Sequence, residues 1–174
     1  MDEQDKHARF EQCIMPHMDA AYNLARWLAG NDPDAQDVVQ EAYLRAFKFF
    51  AGFRGGDGRS WLLRIVRNSF YDWLRQHQRR ELETPFDDEV HDAAAVSPGP
   101  DAALLEKADK NLLSQAIEAL PVGYREVLVM RELEGLAYKE IADVAELPIG
   151  TVMSRLARAR EHLRQGLLER MRKE

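Results

Sequence analysis

The apolar residues of this chain recur at the three- and four-residue spacing of helices, and no segment shows the alternation typical of a half-buried strand. Apolar stripes run from Met18 to Leu28, from Val38 to Phe47 and from Trp61 to Leu74. Before the second stripe, Asn31 and Pro33 form the pairing of a capping residue and an early proline that is typical of a helix start. The pattern therefore predicts three helices whose aromatic bulk can close a small core.

The stretch 81–103 interrupts this helical pattern. It is rich in acidic residues, contains Pro85, Pro98 and Pro100, and offers little apolar surface to bury. Such a composition is typical of a solvated linker, and the prolines hold part of it extended. Helical stripes resume at Leu112, so we expect an all-α protein of two small helical domains joined by a flexible acidic linker. The predicted boundaries are 1–80 for the first domain, 81–108 for the linker and 109–174 for the second domain.

Composition excludes several classes of protein. The 174 residues are 45% hydrophobic and 31% charged, which suits packed cores and does not suit a disordered acidic chain. No apolar run approaches the length of a membrane span, and the first residues are acidic where a signal peptide would be basic. The single cysteine, Cys13, cannot form an internal disulfide or a CxxC metal site. We therefore expect a cytoplasmic protein without membrane insertion.

Charge is distributed unevenly along the chain, although the formal net charge is −6. Residues 54–80 carry seven basic and two acidic groups, residues 149–174 carry seven and three, and residues 81–111 carry two and nine. Because salt screens each patch within roughly 8 Å, a basic block can attract a polyanion whatever the total charge. Two solvated helix faces would give the same distribution, so charge alone leaves nucleic-acid binding open.

The most specific local pattern lies in the second domain. Tyr138–Ala145 predicts a short helix, Leu147–Thr151 a turn that contains proline and glycine, and the residues after it a longer helix, which is the helix-turn-helix plan. Ser154, Arg155 and Arg158 lie off the apolar stripe of that longer helix, and arginine there can bond guanine edges or phosphates. A three-helix bundle with an arginine-rich surface is the alternative. We favour DNA binding because the turn and the arginines occur together.

The first basic block interleaves aromatic residues with arginines. Arg64 and Arg67, for example, stand between Trp61 and Phe70. Stacking faces beside cations suit the unstacked bases of single-stranded nucleic acid. Because Trp61 and Phe70 also fit the buried stripe, most of these aromatic residues are predicted to be core and only a minority to be stacking platforms.

Three segments in register resemble motifs of bacterial sigma factors, in the extracytoplasmic-function (ECF) group of the sigma-70 family. Asp34–Phe47 resembles the helix that binds core RNA polymerase, and Ser60–Asn68 is similar to the helix that melts the promoter. The segments Leu120–Val127 and Gly135–Arg160 resemble the second DNA-binding domain. The resemblance covers roughly residues 10–168, and it implies a two-domain helical factor that directs polymerase to promoters.

The resemblance also implies a role for residues in each segment. Core RNA polymerase would bind the first segment, through Asp37, Gln40, Glu41 and Phe47. The minus-ten element would be opened, with one base flipped out, by residues of the first basic block: Arg54, Trp61, Arg64, Arg67 and Asn68. The minus-thirty-five element would be read as duplex by Thr151, Ser154, Arg155 and Arg158. The acidic linker would lie in the channel through which RNA leaves the polymerase.

Two departures from the family pattern bear on promoter reading. Met153 stands where the family usually has lysine or arginine, and Ala157 stands where some members have a bulky aromatic residue. These two positions predict fewer phosphate contacts at the minus-thirty-five element. Since the chain has no long N-terminal extension and no extra C-terminal domain, we expect a separate protein, an anti-sigma factor, to control it.

Two other classes of function remain as alternatives. A freestanding helix-turn-helix regulator would account for the second domain, but it needs neither the Asp34–Phe47 helix nor the Phe53–Asn68 block. An enzyme has little support because the five histidines are scattered and no glycine-rich phosphate loop or Ser/His/Asp pattern occurs. Cys13 and His17 flank Pro16 and have no further ligands nearby in the sequence. We therefore expect no enzymatic activity, no metal site and no cofactor.

Overall fold

The computed structural model describes residues 2–77 and 110–174, and within these ranges the regular elements are helical, without strands. The chain divides into two compact units. The prediction of an all-α protein with two helical units is therefore confirmed. The predicted linker, 81–108, lies outside the described residues, and the exact domain boundaries stay predictions.

Four helices build the first unit. They are α1 (Glu3–Cys13), α2 (Met18–Ala29), α3 (Asp32–Phe49) and α4 (Gly58–His77), with 3-10 turns at Met15–His17 and Phe50–Gly52. Helices α2, α3 and α4 pack against one another. The predicted apolar stripes supply most of the buried side chains, among them Leu24, Leu28, Val38, Leu62, Val66, Phe70 and Leu74.

The start of α3 is fixed by polar groups as the sequence predicts. The side chain of Asn31 accepts a hydrogen bond from the Asp34 amide at 2.9 Å, which satisfies a donor at the helix N-terminus. Asp32 accepts hydrogen bonds from the Tyr22 hydroxyl at 2.7 Å and from Arg26 Nε at 2.9 Å. The hydrogen bond to Asp32 raises the pKa of Tyr22. These bonds tie the middle and the last turn of α2 to the first turn of α3.

Helix α1 contributes one buried aromatic side chain to the first unit. Phe10 is the buried residue of this helix, and its ring meets those of Tyr43, Phe47 and Phe50 edge to face at 5.3 to 5.5 Å between centroids. This is the favoured geometry for aromatic pairs. The apolar pattern did not predict α1, because a helix with one buried side chain shows no stripe.

The second unit contains the predicted helix-turn-helix. Its helices are α5 (Lys110–Glu118), α6 (Val122–Leu128), α7 (Tyr138–Ala145) and α8 (Ile149–Arg172), and a π-helical turn, Val129–Leu133, extends α6. Helix α8 packs on α5 and α6 and buries a stripe at helical spacing: Val152, Leu156, Ala159, Leu163 and Leu167. No helix in the described parts of the chain has both the length and the apolar character that crossing a bilayer requires.

Helix α4 begins in close contact with the end of α1. A Cβ atom added to Gly58 would lie 2.5 Å from the carbonyl oxygen of Cys13, closer than real Cβ atoms come to a neighbouring atom. The neighbour is a backbone atom, so it cannot rotate away as a side chain does. Glycine is therefore required at residue 58 for α4 to start where it does.

We expect Gly58→Ala to lower the free energy of unfolding by about 1–3 kcal/mol, the usual cost of forcing atoms into a packed site. Gly52→Ala is the matched control because a Cβ there meets nothing within 4 Å, and its effect should stay within about 0.5 kcal/mol. Urea unfolding followed by circular dichroism measures both. Equal stability of the two variants would contradict the close contact.

Candidate functional site

The exposed face of α3 carries three of the four residues predicted to bind polymerase. Asp37, Gln40 and Glu41 are all exposed and lie at the i, i+3, i+4 spacing that places them on one side of a helix. Leu44 continues this face and is 56% exposed. Sequence reasoning missed Leu44, although its spacing from Asp37 and Gln40 was a signal for it. The face therefore combines two carboxylates and an amide with an exposed apolar side chain.

Phe47, the fourth predicted residue, is half-buried and packs inside the first unit. Its ring lies 5.3 Å from that of Phe10 and 5.2 Å from that of His7, and Lys6 Nζ lies 4.5 Å from its centroid. These contacts hold α1 on α3. The structure therefore groups Phe47 with the aromatic cluster, and a role in binding polymerase stays a prediction.

Arg45 connects the exposed face of α3 to α4. Its Nε donates to Glu41 at 2.9 Å, and its Nη1 donates to Asp72 of α4 at 2.7 Å. The hydrogen bond to Asp72 is the main cause that raises the pKa of Arg45, and Glu41 adds to it. Asp72 also accepts from Arg75 at 3.0 Å. A network of ion pairs between α3 and α4 thus holds Glu41 in place.

The loop before α4 is short, and two local features shape it: a pair of glycines and a capping aspartate. Gly55 and Gly56 have φ of 86° and 89°, in the left-handed region that favours glycine. Asp57 then caps α4, because its carboxylate accepts from the Ser60 amide at 3.2 Å and from the Ser60 hydroxyl at 2.6 Å. The loop presents Arg54 as an exposed side chain next to the start of α4.

Trp61 is half-buried and belongs to an aromatic cluster. Its ring lies 5.1 Å from that of Phe53 and 6.2 Å from that of Phe50, while Phe70 is fully buried elsewhere along α4. The prediction of a core position therefore holds for Phe53 and Phe70, which are buried, whereas Trp61 is only half-buried. A contact of Trp61 with DNA stays a prediction.

The remaining predicted minus-ten residues lie along α4 beyond Trp61. Arg64 is exposed, and Arg67 and Asn68 are half-buried. The guanidinium of Arg67 lies 4.4 Å from the ring centroid of Tyr71, a cation–π contact that orients it. Together with Arg54 these residues place several cationic groups and one amide on the loop and helix that follow α3.

The predicted minus-thirty-five residues lie in the first turns of α8. Ser154 donates its hydroxyl to the carbonyl of Thr151 at 3.1 Å, and Ser154, Thr151 and Arg158 are half-buried. Arg155 is only 11% exposed in its side chain and lies 3.8 Å from a carboxylate oxygen of Glu126, which is fully buried. Sequence periodicity placed Arg155 off the apolar stripe, but it did not predict this pairing with α6.

A second ion pair joins the same two regions. Arg160 of α8 donates from Nη2 and Nε to Glu132 of the π-helical turn, at 2.8 and 3.1 Å. This pair is more open to solvent than the first, because the Glu132 side chain is 44% exposed. Carboxylates from the preceding segment therefore orient two arginines of the helix-turn-helix.

The described residues contain no group of three or more His, Cys, Asp or Glu side chains placed to hold a metal ion. Cys13 is half-buried. The functional surfaces described above consist of charged, amide and aromatic side chains, which suit the binding of macromolecules.

Each of the two units matches a known protein family. The sigma-70 region 2 family matches residues 13–80, and the sigma-70 region 4 family matches residues 110–163. The RNA polymerase sigma-H factor of Pseudomonas aeruginosa is 34% identical over a 170-residue alignment that covers 94% of this chain and 88% of that protein. The chain therefore belongs to the sigma-70 family.

Another relative and two solved structures indicate which group of the sigma-70 family the chain belongs to. The ECF RNA polymerase sigma factor SigE of Mycolicibacterium smegmatis is 32% identical over 91% of this chain, which spans 61% of that protein's length. The sigma factor RpoE of Bartonella quintana, solved with the anti-sigma factor NepR, has a TM-score of 0.70 at 26% identity over 92% of this chain and 97% of that one. CnrH, solved with the cytosolic domain of CnrY, has a TM-score of 0.63 at 26% identity over 94% of this chain and 90% of that one. Within the sigma-70 family, the chain is a member of the ECF group.

The two ion pairs of the helix-turn-helix differ in burial, and this difference predicts their effect on stability. Glu126→Gln should lower the free energy of unfolding by about 1–3 kcal/mol, since it removes a charged partner from a fully buried site. Glu132→Gln, the control in the exposed pair, should cost no more than about 1 kcal/mol. Urea unfolding of both variants compares them. A larger loss in the Glu132 variant would contradict this ranking.

Proposed function

We propose that this chain is a promoter-specificity subunit that binds core RNA polymerase and directs transcription initiation. The observation that carries the proposal is that one compact unit holds both the polar exposed face of α3 and the cationic side chains of α4. A freestanding helix-turn-helix regulator would use neither surface. The match of the two units to sigma-70 regions 2 and 4, in this order, supports the same function.

In this function the first unit binds polymerase and opens the promoter. The carboxylates of Asp37 and Glu41 meet basic groups of the polymerase, and Gln40 adds hydrogen bonds. The loop with Arg54 and the helix with Arg64, Arg67 and Asn68 hold the separated strand of the minus-ten element, with arginines on phosphates. Trp61 supports this loop from inside its aromatic cluster.

The second unit reads the minus-thirty-five element as duplex. In the helix-turn-helix plan the N-terminal turns of the second helix enter the major groove, and these turns of α8 carry Thr151, Ser154, Arg155 and Arg158. We place the first domain at 1–80 and the second at 109–174. The linker between them lies in the RNA exit channel. Polymerase then holds both DNA-binding units at one spacing, so the second contact forms at high effective concentration.

We infer that an anti-sigma factor controls the chain. One similar structure is the sigma factor RpoE in complex with the anti-sigma factor NepR, and another is CnrH in complex with the cytosolic domain of CnrY. A protein of this class acts in the cytoplasm with the polymerase and the chromosome. It has no catalytic step of its own, because nucleotidyl transfer belongs to the polymerase.

Run-off transcription tests the proposal directly. Purified core RNA polymerase is incubated with a library of promoter fragments, with and without this protein. We expect promoter-specific transcripts only when both proteins are present, because neither holds the complete recognition surface alone. An absence of transcripts together with no co-elution with core polymerase would overturn the proposal and favour the freestanding regulator.

The assignment of α8 to duplex reading has its own test. Arg158→Ala should weaken promoter recognition by about 1–3 kcal/mol if Arg158 bonds a base edge, measured as the loss of transcript from the cognate promoter. Arg164→Ala is the matched control, because Arg164 is an exposed arginine farther along the same helix. Equal transcription by the two variants would show that the recognition surface lies elsewhere.

A further inference from the structure

The first residue of α8 is the unusual member of the helix-turn-helix. Ile149 precedes the buried residues Val152 and Leu156 by three and seven positions, a spacing that would extend the apolar stripe of this helix by one turn. Ile149 is nevertheless 49% exposed. Five large apolar side chains are exposed in the described parts of the chain, and Ile149 is the one among them that lies in the helix-turn-helix.

The turn before Ile149 is short, and its backbone is well defined. Glu146 ends α7 in the left-handed region with a φ of 57°, and α8 opens three residues later. The carbonyl oxygen of Pro148 accepts hydrogen bonds from the amides of Thr151 and Val152, at 3.0 and 3.1 Å, so the first turn of α8 is regular. A β-branched side chain in a helix also has one strongly preferred rotamer. Ile149 is therefore held in a defined position.

The start of α8 carries no charged side chain. Residues 149–154 are Ile, Gly, Thr, Val, Met and Ser, and the next residue, Arg155, lies beside the buried carboxylate of Glu126. Met153, which is half-buried, follows Ile149 by four positions, and this spacing makes the two side chains neighbours on the helix surface. This end of the helix therefore presents a small apolar patch, formed by Ile149 and Met153, beside the polar Ser154.

The chemistry of the major groove identifies a partner for this apolar patch. In the helix-turn-helix plan the N-terminal residues of the second helix meet the base edges. These edges present hydrogen-bond donors and acceptors and one apolar group, the C5-methyl group of thymine. An isoleucine side chain forms no hydrogen bond or ion pair, but it can remove that methyl group from water. Because Ser154 and Arg158 lie on the same turns, the patch is continuous with the proposed DNA-reading surface, which favours DNA over a protein as its partner.

We propose that Ile149 contacts the C5-methyl group of a thymine in the minus-thirty-five element and so determines a preference for an A·T pair at that position. Met153 shields this contact from water. The inference rests on the proposed function, since it adds a specificity-determining residue to the surface that reads the minus-thirty-five element. The residues predicted from the sequence for this surface all carry polar groups, so the methyl contact adds a second kind of recognition to theirs.

Substitution of thymine by deoxyuridine tests this contact, because it removes the methyl group and leaves every hydrogen-bonding group of the base in place. A promoter fragment selected by run-off transcription is prepared with each thymine of its minus-thirty-five element replaced singly, on either strand. Equilibrium competition measures how tightly each fragment binds the complex of the full chain with core RNA polymerase. We expect one substitution to weaken binding about fourfold, the effect of losing one buried methyl group.

Variants of the full chain assign the effect to Ile149. Ile149→Ala should bind the thymine fragment and the deoxyuridine fragment equally, whereas Ile149→Val, which keeps the branched side chain, should retain most of the fourfold difference. Met15→Ala is the control, because it shortens an exposed apolar side chain of the first unit, and it should keep the full difference. Thermal unfolding of the three variants checks that each is folded.

Several results would overturn the methyl contact and leave the proposed function intact. These are a selected minus-thirty-five element without an A·T pair, equal binding of all fragments by the unmodified chain, and a fourfold difference that persists in Ile149→Ala. An Ile149→Ala variant that binds DNA like the unmodified chain but has lost affinity for core polymerase would assign the apolar patch to a protein partner instead. An unmodified chain that yields no transcripts with core polymerase would overturn the proposed function, and the methyl contact with it.

Discussion

The close packing of α3 against its neighbours determines what the first unit can present. Small side chains line the buried edge of α3, with Ala35, Val38, Ala42 and Ala46 all out of solvent, so α2 and α4 approach its backbone closely. The exposed side of α3 is then fixed in orientation, and the capped N-terminus of this helix adds a second anchor. A helix held this tightly presents its exposed carboxylates on a rigid surface, which reduces the conformational entropy lost when a partner binds.

In the second unit, ion pairs fix the orientation of exposed and partly buried side chains. Two glutamates ahead of the helix-turn-helix hold two arginines of α8, one pair buried and one open to solvent. Such pairs add modest stability where solvent reaches them, but they restrict the rotamers of long side chains. Contacts that orient cationic side chains are a common feature of both units, because Arg67 is likewise held over Tyr71.

Much of this architecture follows from the sequence because it depends on local rules. Helical spacing predicted α2, α3, α4 and α8, and the Asn31 cap and the helix-turn-helix followed from turn chemistry. What periodicity could not predict depends on contacts between elements. The pairing of Arg155 with Glu126 and the unpaired hydroxyl of Ser69 both follow from how one helix is rotated against another. Helix α1 was missed because Phe10 is its one buried residue, which leaves no apolar stripe in the sequence.

The tryptophan residues of the first unit also allow the two units to be distinguished by fluorescence. The chain has three tryptophans, and Trp27, Trp61 and Trp73 all lie in α2 and α4. The second unit has tyrosine but no tryptophan, so excitation selective for tryptophan reports on the first unit alone. Tryptophan fluorescence therefore follows events in the first unit, whereas far-ultraviolet circular dichroism follows both units. A difference between these two signals during unfolding or assembly reports the behaviour of the second unit without any added label.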